Sequence, residues 1–161
     1  MDATTLLKNQ HEEVAALFEK YEEASGAESK QAIFNVIADN LAAHCTIEEK
    51  LFYPAAYIGE LKDELKEAVE EHLAAKRVIA DLLAMSPGDE NFDAKVKVLS
   101  ELIEHHVGEE QDEMFPNVRK LMPKRELEAL GEAMEKMFAE LMKGSPRKDV
   151  PSQTARAAPL R

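Results

Sequence analysis

A chain of 161 residues suits one domain, large enough to bury a core without disulfides or other staples. Its 32 Asp plus Glu against 20 Lys plus Arg leave a net charge of -12, which argues against nucleic-acid backbone binding, an activity that needs a cationic surface. A single cysteine, Cys45, rules out an intramolecular disulfide and fits a reducing compartment.

The opening MDATTLLKNQHEE has no basic segment followed by an apolar run. No stretch approaches the roughly 20 apolar residues of a membrane span, so a soluble cytoplasmic protein without a membrane partner is expected. Four segments carry apolar residues every three or four positions, separated by short breaks rich in Gly, Pro and Ser. The first helix is predicted from Ala3, behind an Asp2 cap, to Ser25, with Leu7, His11, Val14, Phe18 and Tyr21 on one stripe. The second runs from Glu28 to Pro54 with Ile33, Ile37, Leu41, His44, Glu48 and Leu51. The third begins near Glu60, shows Leu65, Val69, His72, Lys76, Ile79 and Leu83, and stops before Ser86. The fourth runs from Phe92 to Lys120, with a bend or an end near Pro116, and its stripe of Val96, Leu99 and Ile103 continues into His106 and Glu110. A fifth amphipathic segment extends from Pro123 through Met142 and is expected to pack on the bundle, on a protein partner or on a second copy. Its Met134 and Met137 read as ordinary packing residues. After Lys143 the periodicity is lost and three prolines appear, so residues 144–161 are expected to be a disordered, net-basic tail, either solvated or tethering an acidic partner.

Short connections place successive helices side by side and antiparallel, giving an all-α, up-down-up-down four-helix bundle over residues 1–122. His11 and His72 lie soon after the starts of their helices, and His44 and His106 lie ten residues before Pro54 and Pro116. At about 1.5 Å per residue, all four fall at one level, roughly 12 to 18 Å from the same end.

The chain also repeats itself. HCTIEEKLFYP, residues 44–54, matches HVGEEQDEMFP, residues 106–116, and His11 precedes His44 by 33 residues as His72 precedes His106 by 34. Two hairpins on one plan bring two equivalent half-sites together, which suggests two metal ions. In His-x3-Glu the imidazole and carboxylate stand on one helix face about 6 Å apart, and a carboxylate has two oxygens with which to bridge two ions. The candidate ligands are therefore His11, His44, His72 and His106 as terminal groups, with Glu48 and Glu110 as bridges. Mixed imidazole and carboxylate donors suit iron, zinc, manganese or copper better than calcium or magnesium. Two buried glutamates without a counter-charge would cost several kcal/mol each, and Lys76 is the one obvious cation on the stripes. The ferritin-like alternative needs Glu three positions before His, where this chain has Leu41, Val69, Leu102 and Ile103.

These residues resemble the hemerythrin-like, or HHE cation-binding, domains over roughly residues 5–120. The most specific part is the twice-used His-x3-Glu run that ends in Phe-Tyr-Pro or Met-Phe-Pro. The resemblance implies a four-helix bundle with a non-haem di-iron centre, oxo- or hydroxo-bridged when oxidised, and gives the ligand roles to His11, His44, Glu48, His72, His106 and Glu110. Oxygen-carrying members have a further histidine at the position of Lys76 and an aspartate five residues after the fourth histidine. With one imidazole fewer, a coordination position is left for a small diatomic or peroxide ligand. Expected activity is binding, reduction or sensing of oxygen, peroxide or nitric oxide; a metal-responsive binding module without turnover is the alternative. Lys76 is expected to snorkel to solvent rather than hydrogen-bond a bound oxygen species. His105 is expected near the surface and Cys45 in packing, while Glu49 either supports the site from outside or is solvated.

Overall fold

The Asp2 carboxylate accepts the Thr5 amide at 3.0 Å and starts α1, Ala3–Glu23, as a capping aspartate should. The computed structural model describes residues 1–160, among which there is no strand. Gly26, at φ 89°, turns the chain into α2, Ala27–Ile47; α3 spans Lys62–Ala84 and α4 spans Phe92–Glu109. These four form the expected bundle, α1 packing on α2 and α3 on α4.

Neither α2 nor α4 ends at its proline. Each passes through a wide π turn, Glu48–Phe52 and Glu110–Met114, and resumes as α-helix over Tyr53–Ala56 and Phe115–Leu121. The Tyr53 amide bonds the Glu48 carbonyl, and the Phe115 amide bonds the Glu110 carbonyl. A proline ring would press on the carbonyl four residues back, and the wider turn makes room for it. The predicted stop at Pro54 is thereby corrected; the fourth helix runs on to Leu121, close to the expected Lys120, with its wide turn just before Pro116.

Two apolar clusters fill the bundle, and the split between them falls at the histidine on every helix. One holds Leu7, Ile47, Phe52, Leu65 and Phe115; the other holds Val14, Phe34, Ile37, Ile79, Leu82 and Leu99. Between them lies one layer of buried polar groups.

α5, Lys124–Met142, covers the first cluster through Leu127 and Met134, so Met134 packs as expected and Met137 lies against the same cluster. Gly131 is required there, since a β-carbon would collide with the Met1 and Asp2 backbone.

The expected disorder after Lys143 is not what the structure shows. Pro146–Gln153 form a 3₁₀ helix against α2 and α3, with Val150 only 1% exposed inside the second cluster. The Arg147 amide and guanidinium both bond Asp39, at 3.0 and 2.9 Å, and Arg77 bonds the Thr154 carbonyl at 3.0 Å. A 3₁₀ turn carrying one anchoring valine has no 3.6-residue stripe to detect. Arg161, counted with that tail, lies outside the described residues.

Candidate metal centre

All six candidate ligands are buried, and the structure brings them into one layer. Because α1 and α3 carry one histidine each, while α2 and α4 each place a histidine one turn before the glutamate that opens the following wide turn, the repeat closes around a shared centre. The two halves match closely. His11 and His44 have ring centroids 4.9 Å apart at 62°, and His72 and His106 have theirs 4.8 Å apart at 65°.

Each glutamate lies between one imidazole of each hairpin. Glu48 Oε1 is 3.1 Å from His44 Nε2 and 3.2 Å from His72 Nε2; Glu110 Oε1 is 3.2 Å from His11 Nε2 and 3.3 Å from His106 Nε2. Despite these distances, His11 Nε2, His44 Nε2, both Glu48 oxygens and Glu110 Oε1 make no aligned hydrogen bond. The atoms converge without pointing at each other.

The reason lies on the outer side of each ring. Every Nδ1 hydrogen-bonds an oxygen: His11 to Gln111 at 2.8 Å, His44 to Gln10 at 2.6 Å, His72 to Glu49 at 2.7 Å and His106 to Glu71 at 2.8 Å. Donation from Nδ1 leaves the Nε2 lone pairs facing inward, where His72 and His106 Nε2 stand 3.2 Å apart. Four inward lone pairs and two buried carboxylates need positive charge. Ligands on adjacent vertices around one ion, with bonds of about 2.1 Å, lie about 3 Å apart, and the observed spacings match that edge. The donor set therefore fits a divalent transition-metal ion, and two groups of donors are in reach of one another: His11, His44, Glu48 and Glu110, and Glu48, His72 and His106.

The buried carboxylates that would meet a cation also raise the proton affinity of the imidazole beside them. Burial alone would lower His106, but the Glu110 carboxylate and the Glu71 hydrogen bond push it up to about 10. Burial likewise works against Glu110, whose carboxyl is nevertheless held well below the usual range by His106 and His11.

Tyr53 was not among the candidate ligands, yet it is fully buried in this layer. Its hydroxyl donates to Glu110 Oε2 at 2.8 Å and lies 3.2 and 3.3 Å from His72 and His106 Nε2. A signal for it existed, because the repeat aligns Tyr53 with Phe115. Phe115 stacks on His11 at 5.9 Å and 6°, just as Tyr53 lies over His72 at 5.4 Å and 34°. Gln10, Glu71 and Gln111 were also missed; each is adjacent in sequence to a predicted ligand.

Lys76 does not snorkel. Its ammonium is buried and bonds Glu49 Oε1 at 2.9 Å, which places Glu49 behind His72 rather than in solvent. His105 is 66% exposed, with Glu109 at 3.0 Å and Glu71 at 3.4 Å. Cys45 is a buried free thiol outside both donor groups.

Among the described residues, two openings lie against the layer. A cavity of about 20 Å³ between Val14, Leu41, Leu102, Ile103 and the histidines is almost wholly apolar. A cleft of about 40 Å³ on the Glu110 side is lined by Glu64, Glu67, Glu71, Glu109 and Glu113.

The hemerythrin HHE cation-binding domain model matches residues 2–118. The chain belongs to that family. A crystal structure of a hemerythrin HHE cation-binding domain-containing protein from Mycobacterium kansasii superposes with a TM-score of 0.81, at 26% identity over 100% of this chain and 98% of that one. A curated relative, a DNA nickase from Nostoc sp. strain PCC 7120, is 25% identical over 130 residues, which is 80% of this chain but only 36% of the nickase. This HHE domain thus spans about a third of that relative's length. No helix among the described residues is long and apolar enough to cross a membrane.

Proposed function

We propose that this HHE domain holds two iron ions and binds, then reduces or senses, a small oxidant: oxygen, peroxide or nitric oxide. The observation that carries this reading is the set of four inward Nε2 atoms around two glutamates that make no aligned hydrogen bond through the oxygens facing them. One ion would take His11 and His44, the other His72 and His106, with Glu48 and Glu110 shared between them. Bound iron supplies redox electrons and a Lewis-acid centre for a small ligand.

The protein residues have separate tasks. Val14, Leu41, Leu102 and Ile103 line a cavity with room for about one water-sized or diatomic molecule, and their apolar surface favours an uncharged ligand. Tyr53 holds a proton 2.8 Å from Glu110 Oε2, where charge on the layer can be compensated without bulk water. Gln10, Gln111, Glu49 and Glu71 keep the imidazoles turned inward. We place the protein in the cytoplasm, where Cys45 stays reduced, and carry no nickase activity over from the longer relative, since the net charge of -12 does not suit DNA.

Anaerobic reconstitution with ferrous iron, followed by separate additions of oxygen, peroxide and nitric oxide, tests this. The expected result is close to two irons per chain and a new charge-transfer band with at least one oxidant; Glu110→Ala should lose both. A chain that retains zinc but no iron would overturn the proposal.

A second reading is a metal-responsive binding module. Glu49 bonds His72 and also lines a groove with Lys76, Asp149, Gln153 and Arg156 under the C-terminal segment, so a change at the histidine has a direct route to that segment. Hydrogen exchange over residues 123–160 should slow on iron loading if this reading holds, and stay the same if it does not.

A further inference from the structure

The two hairpins present their histidines alike on the inside and differently on the outside. His11 and His44 are backed by the side-chain amides of Gln111 and Gln10; His72 and His106 are backed by the carboxylates of Glu49 and Glu71. The same repeat relates these partners. Gln10 and Glu71 each directly precede the first histidine of a hairpin, and each bonds the second. Glu49 and Gln111 each directly follow a glutamate of the polar layer, and each reaches the other hairpin. The amide-or-carboxylate difference therefore falls cleanly between the two donor pairs.

An imidazole whose N–H faces a carboxylate shares that proton in a charge-assisted bond, and its other nitrogen becomes the stronger donor. An amide oxygen gives the same orientation with less of this effect. The two carboxylates are themselves held: Glu49 by Lys76 at 2.9 Å, and Glu71 within reach of His105 at 3.4 Å. Tyr53 adds to the contrast, because its hydroxyl meets His72 and His106, whereas Phe115 offers His11 only a ring face.

Resting on the two-ion reading above, we infer that Glu49 and Glu71 are positioning residues that make the His72–His106 position the tighter of two unequal metal positions, filled before the His11–His44 position. Loss of a hydrogen-bonding partner behind a ligand typically costs about 10- to 100-fold in metal affinity, which sets the scale of the inequality.

The test uses the full chain labelled with ¹⁵N at histidine, stripped of metal and titrated with zinc(II), which is diamagnetic. In the unaltered protein the first equivalent should shift the Nε2 resonances of His72 and His106 with roughly tenfold or greater preference, and the second those of His11 and His44. Glu71→Gln, which gives His106 the amide that serves His44, should bring the two steps together. Gln10→Glu, which gives His44 a carboxylate, should do the same from the other side, and it keeps the test decisive should Glu71→Gln fail to fold. Simultaneous movement of all four histidines from the first addition would overturn the inference, as would an order of filling that persists in every folded variant. Uptake of fewer than two zinc ions would instead overturn the two-ion reading, and the inference with it.

Discussion

The polar layer and the apolar clusters on either side of it are built from the same helices, turn by turn, yet they obey different rules. In the second cluster Ile37, Phe34 and Leu99 are buried because water is expelled from carbon surface, and no partner of any one kind is required. In the polar layer each atom is acceptable only while another atom is correctly placed. Tolerance belongs to the clusters and selectivity to the layer. The comparison teaches that stability and ligand choice can be separated along one helix within a few residues.

The sharpest way to test that separation is to damage each region with and without metal. Ile37→Ala in the apolar cluster should cost about 2–5 kcal/mol by chemical denaturation, equally in the loaded and the stripped protein. Glu48→Gln in the polar layer should behave otherwise. An ion present at a hundred times its dissociation constant adds about 2.7 kcal/mol to the folded state; the variant should forfeit most of that gain, with a smaller change in the stripped form. Equal losses with and without metal would break the comparison.

Val150→Ala asks whether the C-terminal turn belongs to the apolar region that it enters. Removal of two buried methyl groups should cost about 1.6 kcal/mol, independent of metal. The smallest effect is expected at the rim of the same cluster, where Asp93 accepts the Tyr21 hydroxyl at 2.7 Å and the Lys30 ammonium at 3.0 Å. The Tyr21 hydrogen bond, with help from Lys30, holds the Asp93 carboxyl below its ordinary 3.8. A lowered carboxyl contributes stability above the unfolded value and loses it as pH falls through the folded one. Asp93→Asn should therefore slightly flatten the acid limb of a melting-temperature profile below about pH 4 and leave the neutral region with a constant offset.

Apolar period and repeat made much of this readable from the chain. Leu7, Val14 and Phe18, or Val96 and Leu99, announce a buried stripe because carbon side chains leave a 3.6-residue rhythm. His11, His44, Glu48, His72, His106 and Glu110 stood out because they interrupted that rhythm at matching places in two hairpins. The remainder depended on facts that no rhythm records. Gln10 and Gln111 look like ordinary surface amides until the fold turns them behind an imidazole. Tyr53 reads as an apolar residue next to a proline, and only the π turn carries its hydroxyl into the layer. Lys76, long enough to reach solvent, was instead claimed by Glu49, a contact between helices that sequence spacing does not encode. Val150, alone among prolines, has no periodic companion.

The wide turns at Glu48–Phe52 and Glu110–Met114 act as single-residue insertions in otherwise regular helices. Wound as an ordinary α-helix with every residue kept, the same stretch would swing everything downstream by about 100°. His44 and Glu48 would keep their places while the phenol of Tyr53 turned away from them. One wide turn thus separates a centre with a hydroxyl at its edge from one without, and the chain carries the same device a second time in its other half.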